Sequence, residues 1–170
     1  MEFSIRRVRE EDARSIIEML NPIVEAAQYT IMDGPFSVDD QIGFIRSFPK
    51  RGVYHVALSN DSEKVLGIQD VQPLSDATKA LRHVGEISTF VALGSHREGV
   101  GTSLSRATFQ AAKEQGFLKL MATIRADNPQ AVAFYLSQGF SIIGTAHKHA
   151  FVQGHYINEI LTEKFLDEDW

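Results

Sequence analysis

The chain carries a short stretch with the composition of an anion cradle, Gly94-Ser95-His96-Arg97-Glu98-Gly99-Val100-Gly101-Thr102. An apolar run, Ile87 to Leu93, ends just before it. Just after it, Leu104, Ala107, Thr108, Ala111 and Ala112 recur at the three- and four-residue steps of an amphipathic helix. A strand, a glycine turn and a helix start thus follow one another. The first-turn amides of such a helix have no intrahelical acceptor, and the positive end of its dipole faces the turn, which suits a phosphate. Gly99 and Gly101 let the backbone approach a ligand with no Cβ in the way, and Arg97 adds a positive charge. A P-loop needs lysine after its last glycine, where Thr102 stands; a dinucleotide fingerprint needs a third glycine, where Leu104 stands. A corner made only for packing is the plain alternative.

The glycine pair behind a basic or polar position resembles the pyrophosphate loop of the GNAT superfamily, the acyl-CoA-dependent N-acyltransferases. That loop reads Gln/Arg-x-x-Gly-x-Gly/Ala, and here it is His96-Arg97-Glu98-Gly99-Val100-Gly101, with His96 at the Gln/Arg position and the arginine one place later. A second, more specific resemblance lies downstream. The family pattern Asn-x-x-Ala-x-x-x-Tyr-x-x-x-Gly-Phe is matched by Asn128, Ala131, Tyr135, Gly139 and Phe140. The resemblance spans nearly the whole chain, from Phe3 to Phe165. It implies acetyl-CoA as cosubstrate, held by Arg97, Glu98, Gly99, Val100, Gly101 and Thr102, with Asn128 near the cofactor and Tyr135 near its sulfur. It also implies a bulge that splays the strand before the loop from its neighbour. The pantetheine arm would then pair with the backbone of Thr89, Phe90 and Val91, and an amide near Val91 would donate to the oxyanion.

Acyl transfer to an amine needs a neutral nitrogen, an anchored thioester, an oxyanion donor and a proton for the thiolate. The chain has no cysteine, so a cysteinyl acyl-enzyme is excluded. The family resemblance implies direct attack in a ternary complex, where orientation supplies much of the rate. Tyr135 is the expected general acid, since a phenol with a pKa of about 10 stays protonated at neutral pH; otherwise it fills the core. Some family members carry a glutamate five residues upstream of the asparagine, but Thr123 stands there and cannot act as a base. Glu86 is the better candidate base, the alternative being a flanking residue with a water chain carrying the proton. His147 and His149 would share a face of a strand, with no cysteine or evident third ligand to complete a metal site; no metal is expected.

These residues need a scaffold, and 170 residues are enough for one domain with a substantial core. A net charge of −5 argues against a general nucleic-acid or anionic-membrane surface. No apolar run approaches the roughly 20 residues of a membrane helix, and the amino terminus lacks a signal-peptide layout. Cytoplasm is the expected location, and a homodimer is compatible with the sequence. The order reads as strand, helix (Glu10 to Ala27, kinking or restarting near Asn21 because of Pro22), loop (Gln28 to Ser37), short helix, hairpin, third strand, glycine loop and helix. Strand, helix and two final strands, Phe140 to Thr145 and Tyr156 to Phe165, complete it. The fold class is α/β with a mixed, mostly antiparallel sheet of about seven strands and about four helices. By the resemblance, the acceptor is chosen by Gln28 to Phe36 and by about Ala146 to His155. Glu25, Tyr29 and Asp33 are candidates to recognise it. A small amine or amino-acid-like molecule is the first expectation and a protein amine the second; a non-catalytic CoA-binding domain is the alternative of another class.

Overall fold

The computed structural model describes residues 2–62 and 64–167. Its strands are β1 (Phe3–Arg7), β2 (Val53–Ser59), β3 (Val65–Pro73), β4 (Val84–Val91), β5 (Lys119–Arg125), β6 (Ser141–Val152) and β7 (His155–Phe165). Its helices are α1 (Ala13–Glu25), α2 (Val38–Ser47), α3 (Val100–Glu114) and α4 (Pro129–Ser137). The strands form one seven-stranded sheet in the order β1-β2-β3-β4-β5-β7-β6. Every adjacent pair is antiparallel except β4 and β5. The expected mixed sheet flanked by four α-helices is what forms.

Alternation along the strands gives the sheet two apolar faces. Ile16, Leu20 and Ile23 of α1 pack against Tyr54, Val56 and Ile68 on one side. Val71, Ile87, Leu120 and Ile124 pack with Ala112, Phe117, Tyr135 and Phe140 on the other. Ser37 caps α2 in the expected way, its hydroxyl accepting from the Asp40 amide while the Asp40 carboxylate accepts from the Ser37 amide.

Two local expectations change. The first helix runs through Pro22 to Glu25 without restarting. Buried Leu20, Ile23 and Val24 on either side of the proline hold the turn in the core. The Asn21 side chain also pairs with both the amide and the carbonyl of Phe36, each at 2.9 Å. The last hairpin is longer than the pattern implied: β6 continues to Val152, and Gln153 and Gly154, both at positive φ, turn the chain into β7. The register shifts between Ala146 and Ala150, with Lys148 at φ 52°. His147 and His149 therefore flank a bulge and do not share a regular strand face. Among the described residues, no group of three or more His, Asp or Glu side chains is placed to hold a metal ion. No described helix is long and apolar enough to cross a membrane.

Candidate active site

The site begins where β4 and β5 part. Their parallel pairing stops after Glu86 and Met121. Beyond that point β5 follows β7 along its whole length while β4 stays on β3. The β3–β4 register is unbroken from Gly85 to Val91, so the split comes from lost β4–β5 pairing and not from the expected bulge. The Ala92 amide donates to the Leu66 carbonyl, which fixes the phase of the ladder: even-numbered residues of β4 bond to β3. Ile87, Thr89 and Val91 turn their backbone groups toward the gap. Of the three residues expected to offer a free edge, Phe90 is the exception, because its backbone pairs with Ile68.

At the end of β4 the glycine loop enters α3. Arg97 lies at φ 66° and Gly99, the N-cap, at φ 81° with no side-chain cap. The first amide bond into the helix is Ser103 to the Gly99 carbonyl. Among the described residues, nothing accepts from the amides of Val100, Gly101 and Thr102. These three donors open on a cavity of about 500 Å³, lined by Val91, Arg97, Gly99, Val100, Gly101, Thr102, Asn128 and Tyr135, among others. Its donor chemistry fits the pyrophosphate of CoA. Glu98 is exposed and does not line this cavity. His96 also touches the edge, its Nε2 lying 3.2 Å from the Val91 carbonyl. Asn128 is largely engaged in capping α4, where its Oδ1 accepts from the Ala131 amide at 3.1 Å.

Tyr135 projects from α4 into the split and is buried. Its hydroxyl lies 3.0 Å from Thr89 Oγ1. Gln69 of β3 donates through Nε2 to Thr89 Oγ1 at 2.9 Å and to Ser105 Oγ at 3.1 Å. Burial pushes the phenol pKa upward, and the nearby Asp70 charge adds to this against the Thr89 hydrogen bond, so the phenol keeps its proton at neutral pH. Tyr135, Thr89, Phe90, Tyr29 and Ala131 line both this cavity and a second one of about 750 Å³. The two cavities meet at the phenol.

The second cavity lies against the α1–α2 face of the sheet. Glu86 lines it, exposed, at the last β4–β5 pair. Asp70 lines it too and was not singled out from the sequence. Burial pushes the Asp70 carboxyl up to about 7, the Gln72 hydrogen bond opposes this, and the Glu86 charge raises it further. Tyr54 Oη accepts from Gln41 Nε2 at 2.9 Å and closes one wall. The loop from Gln28 to Phe36 forms another, and the buried Arg125 anchors it. That guanidinium donates to the Ala27 and Thr30 carbonyls at 2.8 and 2.9 Å while its other edge grips Asp127. Asp70 and Arg125 carried no distinctive sequence spacing; the fold places both on the wall of this cavity. Of the loop candidates, Tyr29 reaches both cavities, whereas Glu25 and Asp33 line neither.

A strand pair split beside a helix N-terminus, with a buried phenol where two cavities meet, defines the class as acyl-CoA-dependent acyltransferase. A family model described as the acetyltransferase (GNAT) domain matches residues 5–161. The chain belongs to that family of acetyl-CoA-dependent N-acetyltransferases. It is 25% identical over 157 residues to a Streptomyces coelicolor phosphinothricin N-acetyltransferase, covering 91% of each chain. Its fold is similar to a Sinorhizobium meliloti phosphinothricin acetyltransferase solved with acetyl-CoA, with TM-score 0.89 and 22% identity over 99% of this chain and 90% of that one. A Salmonella typhimurium acetyltransferase solved with acetyl-CoA gives TM-score 0.88 at 19% identity, over 99% of this chain and 96% of that one.

Proposed function

We propose that the protein moves the acetyl group of acetyl-CoA to the primary amine of a small molecule by direct attack in a ternary complex. The observation that carries this reading is the meeting of the two cavities at Tyr135 and Thr89. The amides of Val100, Gly101 and Thr102 hold the pyrophosphate, and the backbone of Thr89 and Val91 takes the pantetheine arm. The thioester carbonyl then lies beside the Val91 amide, which donates to the oxyanion as the amine nitrogen attacks. The carbon–sulfur bond breaks, and Tyr135 gives its proton to the leaving thiolate. Glu86 takes the proton lost by the amine; Asp70 is a second group on the same wall able to do so.

The pinned loop from Gln28 to Phe36 supports a bounded acceptor cavity, which favours a small molecule over a protein chain. Release of free thiol from acetyl-CoA, measured across small amines, amino acids and peptides for the parent and Tyr135→Phe, tests the reading. Turnover with a small amine that collapses in the variant is expected. Turnover with peptides alone would overturn it.

A further inference from the structure

The acceptor cavity has a charge balance that narrows the substrate class. Four carboxyl groups line it, those of Asp40, Asp70, Glu86 and Glu159, against one guanidinium and one imidazole, those of Arg125 and His149. Asp40 is engaged in the cap of α2. The Arg125 guanidinium has five N–H donors, of which the bonds to Asp127, Ala27 and Thr30 use four. An anionic group on the acceptor would find little left to bind. The carboxylates are in the opposite condition.

Glu159 is the sharpest case. It is 3% exposed, yet its carboxylate accepts no hydrogen bond among the described residues. The nearest basic side chain is His149, whose Nε2 lies 3.8 Å away, beyond hydrogen-bond reach, on a ring that is 60% exposed. Arg125, opposite it in the β5–β7 register, contributes only a through-space attraction. Asp70 is 7% exposed and accepts one hydrogen bond, from Gln72 Nε2 at 2.9 Å. Both carboxylates open on the cavity with acceptor sites left for an arriving cation.

The register places the two groups on one face of the sheet. Asp70 is level with Ser88 on β4, and Glu159 is level with Arg125 on β5. Three strand intervals separate β3 from β7, roughly 14 Å of sheet at about 4.8 Å per interval, and the β4–β5 split adds to this. On the two strands between them this face carries Ser88, Phe90, Thr123 and Arg125, and Met32 and Phe36 of the 28–36 loop line the same cavity. Two carboxylates on one face of a cavity whose walls also offer Met32, Phe36 and Phe90 match a molecule with two cationic ends and an alkyl middle.

We propose that the acceptor is an aliphatic di- or polyamine: the amine to be acetylated docks at Asp70, on the wall it shares with Glu86, and a second ammonium pairs with Glu159. This rests on the acetyl-transfer reading above and specifies its acceptor. The recognition is ammonium to carboxylate at both ends, and an α-carboxylate or phosphinate on the acceptor opposes it.

The test compares 1,8-diaminooctane and spermidine with octylamine, which has the same alkyl length and one cation, and with phosphinothricin, an amino acid with two acidic groups. Thiol release from acetyl-CoA gives kcat/KM for each, and calorimetry in the presence of CoA gives binding whether or not turnover occurs. A preference for the diamines of at least about tenfold over both comparators is expected, in the range of one hydrogen-bonded charge pair. In Glu159→Gln that preference falls to near parity. Asp70→Asn weakens diamine binding as well, and melting curves confirm that both variants fold. Preferred use of phosphinothricin, or a diamine preference unchanged in Glu159→Gln, overturns the proposal. If no amine is acetylated while CoA binds, the transfer reading fails. The calorimetric arm then still decides: diamine binding lost in Glu159→Gln supports dicationic recognition, and no diamine binding overturns it.

Discussion

Thr89 Oγ1 on β4 lies 3.0 Å from Tyr135 Oη on α4, across the cleft that would hold a thioester. Either hydroxyl is able to donate in this bond, and the third member of the chain favours one order. Gln69 Nε2 donates to Thr89 Oγ1, and the Tyr135 oxygen is the side-chain acceptor within reach of the threonine proton. When the order runs Gln69 to Thr89 to Tyr135, the amide and threonine donors are both paired and the phenol proton is left to point into the cavity. Turning the Gln69 amide over would place its NH₂ where Oε1 now sits buried without a partner, stranding two donors instead of one acceptor. In the proposed transfer, that order would aim the phenol proton at the leaving thiolate.

Tyr135→Phe keeps the ring's edge contacts with Phe134 and Phe140 and removes only the hydroxyl. Turnover is expected to fall about 10²-fold or more with CoA affinity nearly intact, the range of a general acid. Thr89→Val leaves the phenol in place but removes the group that orients it. A smaller fall, about tenfold and in kcat more than KM, is expected. Single-turnover kinetics of both variants, with calorimetric CoA binding as the control, check the pair. Equal chemistry rates in parent and Tyr135→Phe would return the phenol to a packing role.

The glycine loop gives a second prediction, sharpened by what each Cβ would meet. At Gly101 a Cβ would stand 2.9 Å from Cε2 of Phe134, so Gly101→Val must displace that ring and disturbs packing along with binding. At Gly99 the space is open, but φ is +81°. Gly99→Ala is therefore the cleaner probe, with an expected stability loss of about 1–2 kcal/mol from the left-handed backbone alone. CoA affinity should fall about tenfold or more as the loop relaxes from the cradle. A folded Gly99→Ala protein with parental CoA affinity would remove the loop from the site.

How far the sequence reads is decided by the range of the interactions involved. The strand–glycine–helix corner, the Ser37 cap and the Asn128-Pro129 helix start are local, and each carries its own residue signature. The length of β6 was hidden because the bulge around Lys148 breaks the alternation that announces a strand. Asp70 was hidden for a different reason. In Gly67-Ile68-Gln69-Asp70-Val71 it reads as an ordinary polar position, and its burial depends on α1, α2 and the loop between them folding over β3. Gln69, on the opposite face, is buried by α3 in the same way.

Asp70 also leaves a mark on stability. Its carboxyl is pushed up to about 7 in the folded protein, against about 3.9 in an unfolded chain. Between those values the folded state holds a proton that the unfolded state has lost, so stability falls as pH rises from about 4 through about 7. Asp70→Asn keeps the oxygen that accepts from Gln72 and removes the titration. The melting temperature of the variant relative to the parent is expected to rise steadily from pH 5 to pH 8. A gap that does not change with pH would mean that the carboxyl does not titrate in this window.

The proton path can be assigned by the same pair of carboxyls. Glu86 sits at the mouth of the β4–β5 split, where the acceptor nitrogen must arrive, and is exposed; Asp70 lies deeper on the adjacent strand, near neutrality in its titration. A base must be ionised to accept the amine's proton, so the rate rises with pH through the pKa of whichever group acts. If Glu86 acts, Glu86→Gln lowers kcat/KM strongly at neutral pH. The deficit shrinks at high pH, where more of the acceptor is already neutral. If Asp70 acts, the parent profile inflects near 7, Asp70→Asn abolishes that inflection, and Glu86→Gln shifts the curve down in parallel. Both outcomes require the unprotonated amine, so profiles are measured with acceptors of different basicity to separate the enzyme's inflection from the substrate's. We expect the Glu86→Gln deficit to narrow as pH rises. A folded Glu86→Gln protein with a profile parallel to the parent at every pH would take Glu86 out of the proton path and leave Asp70 as the base on that wall.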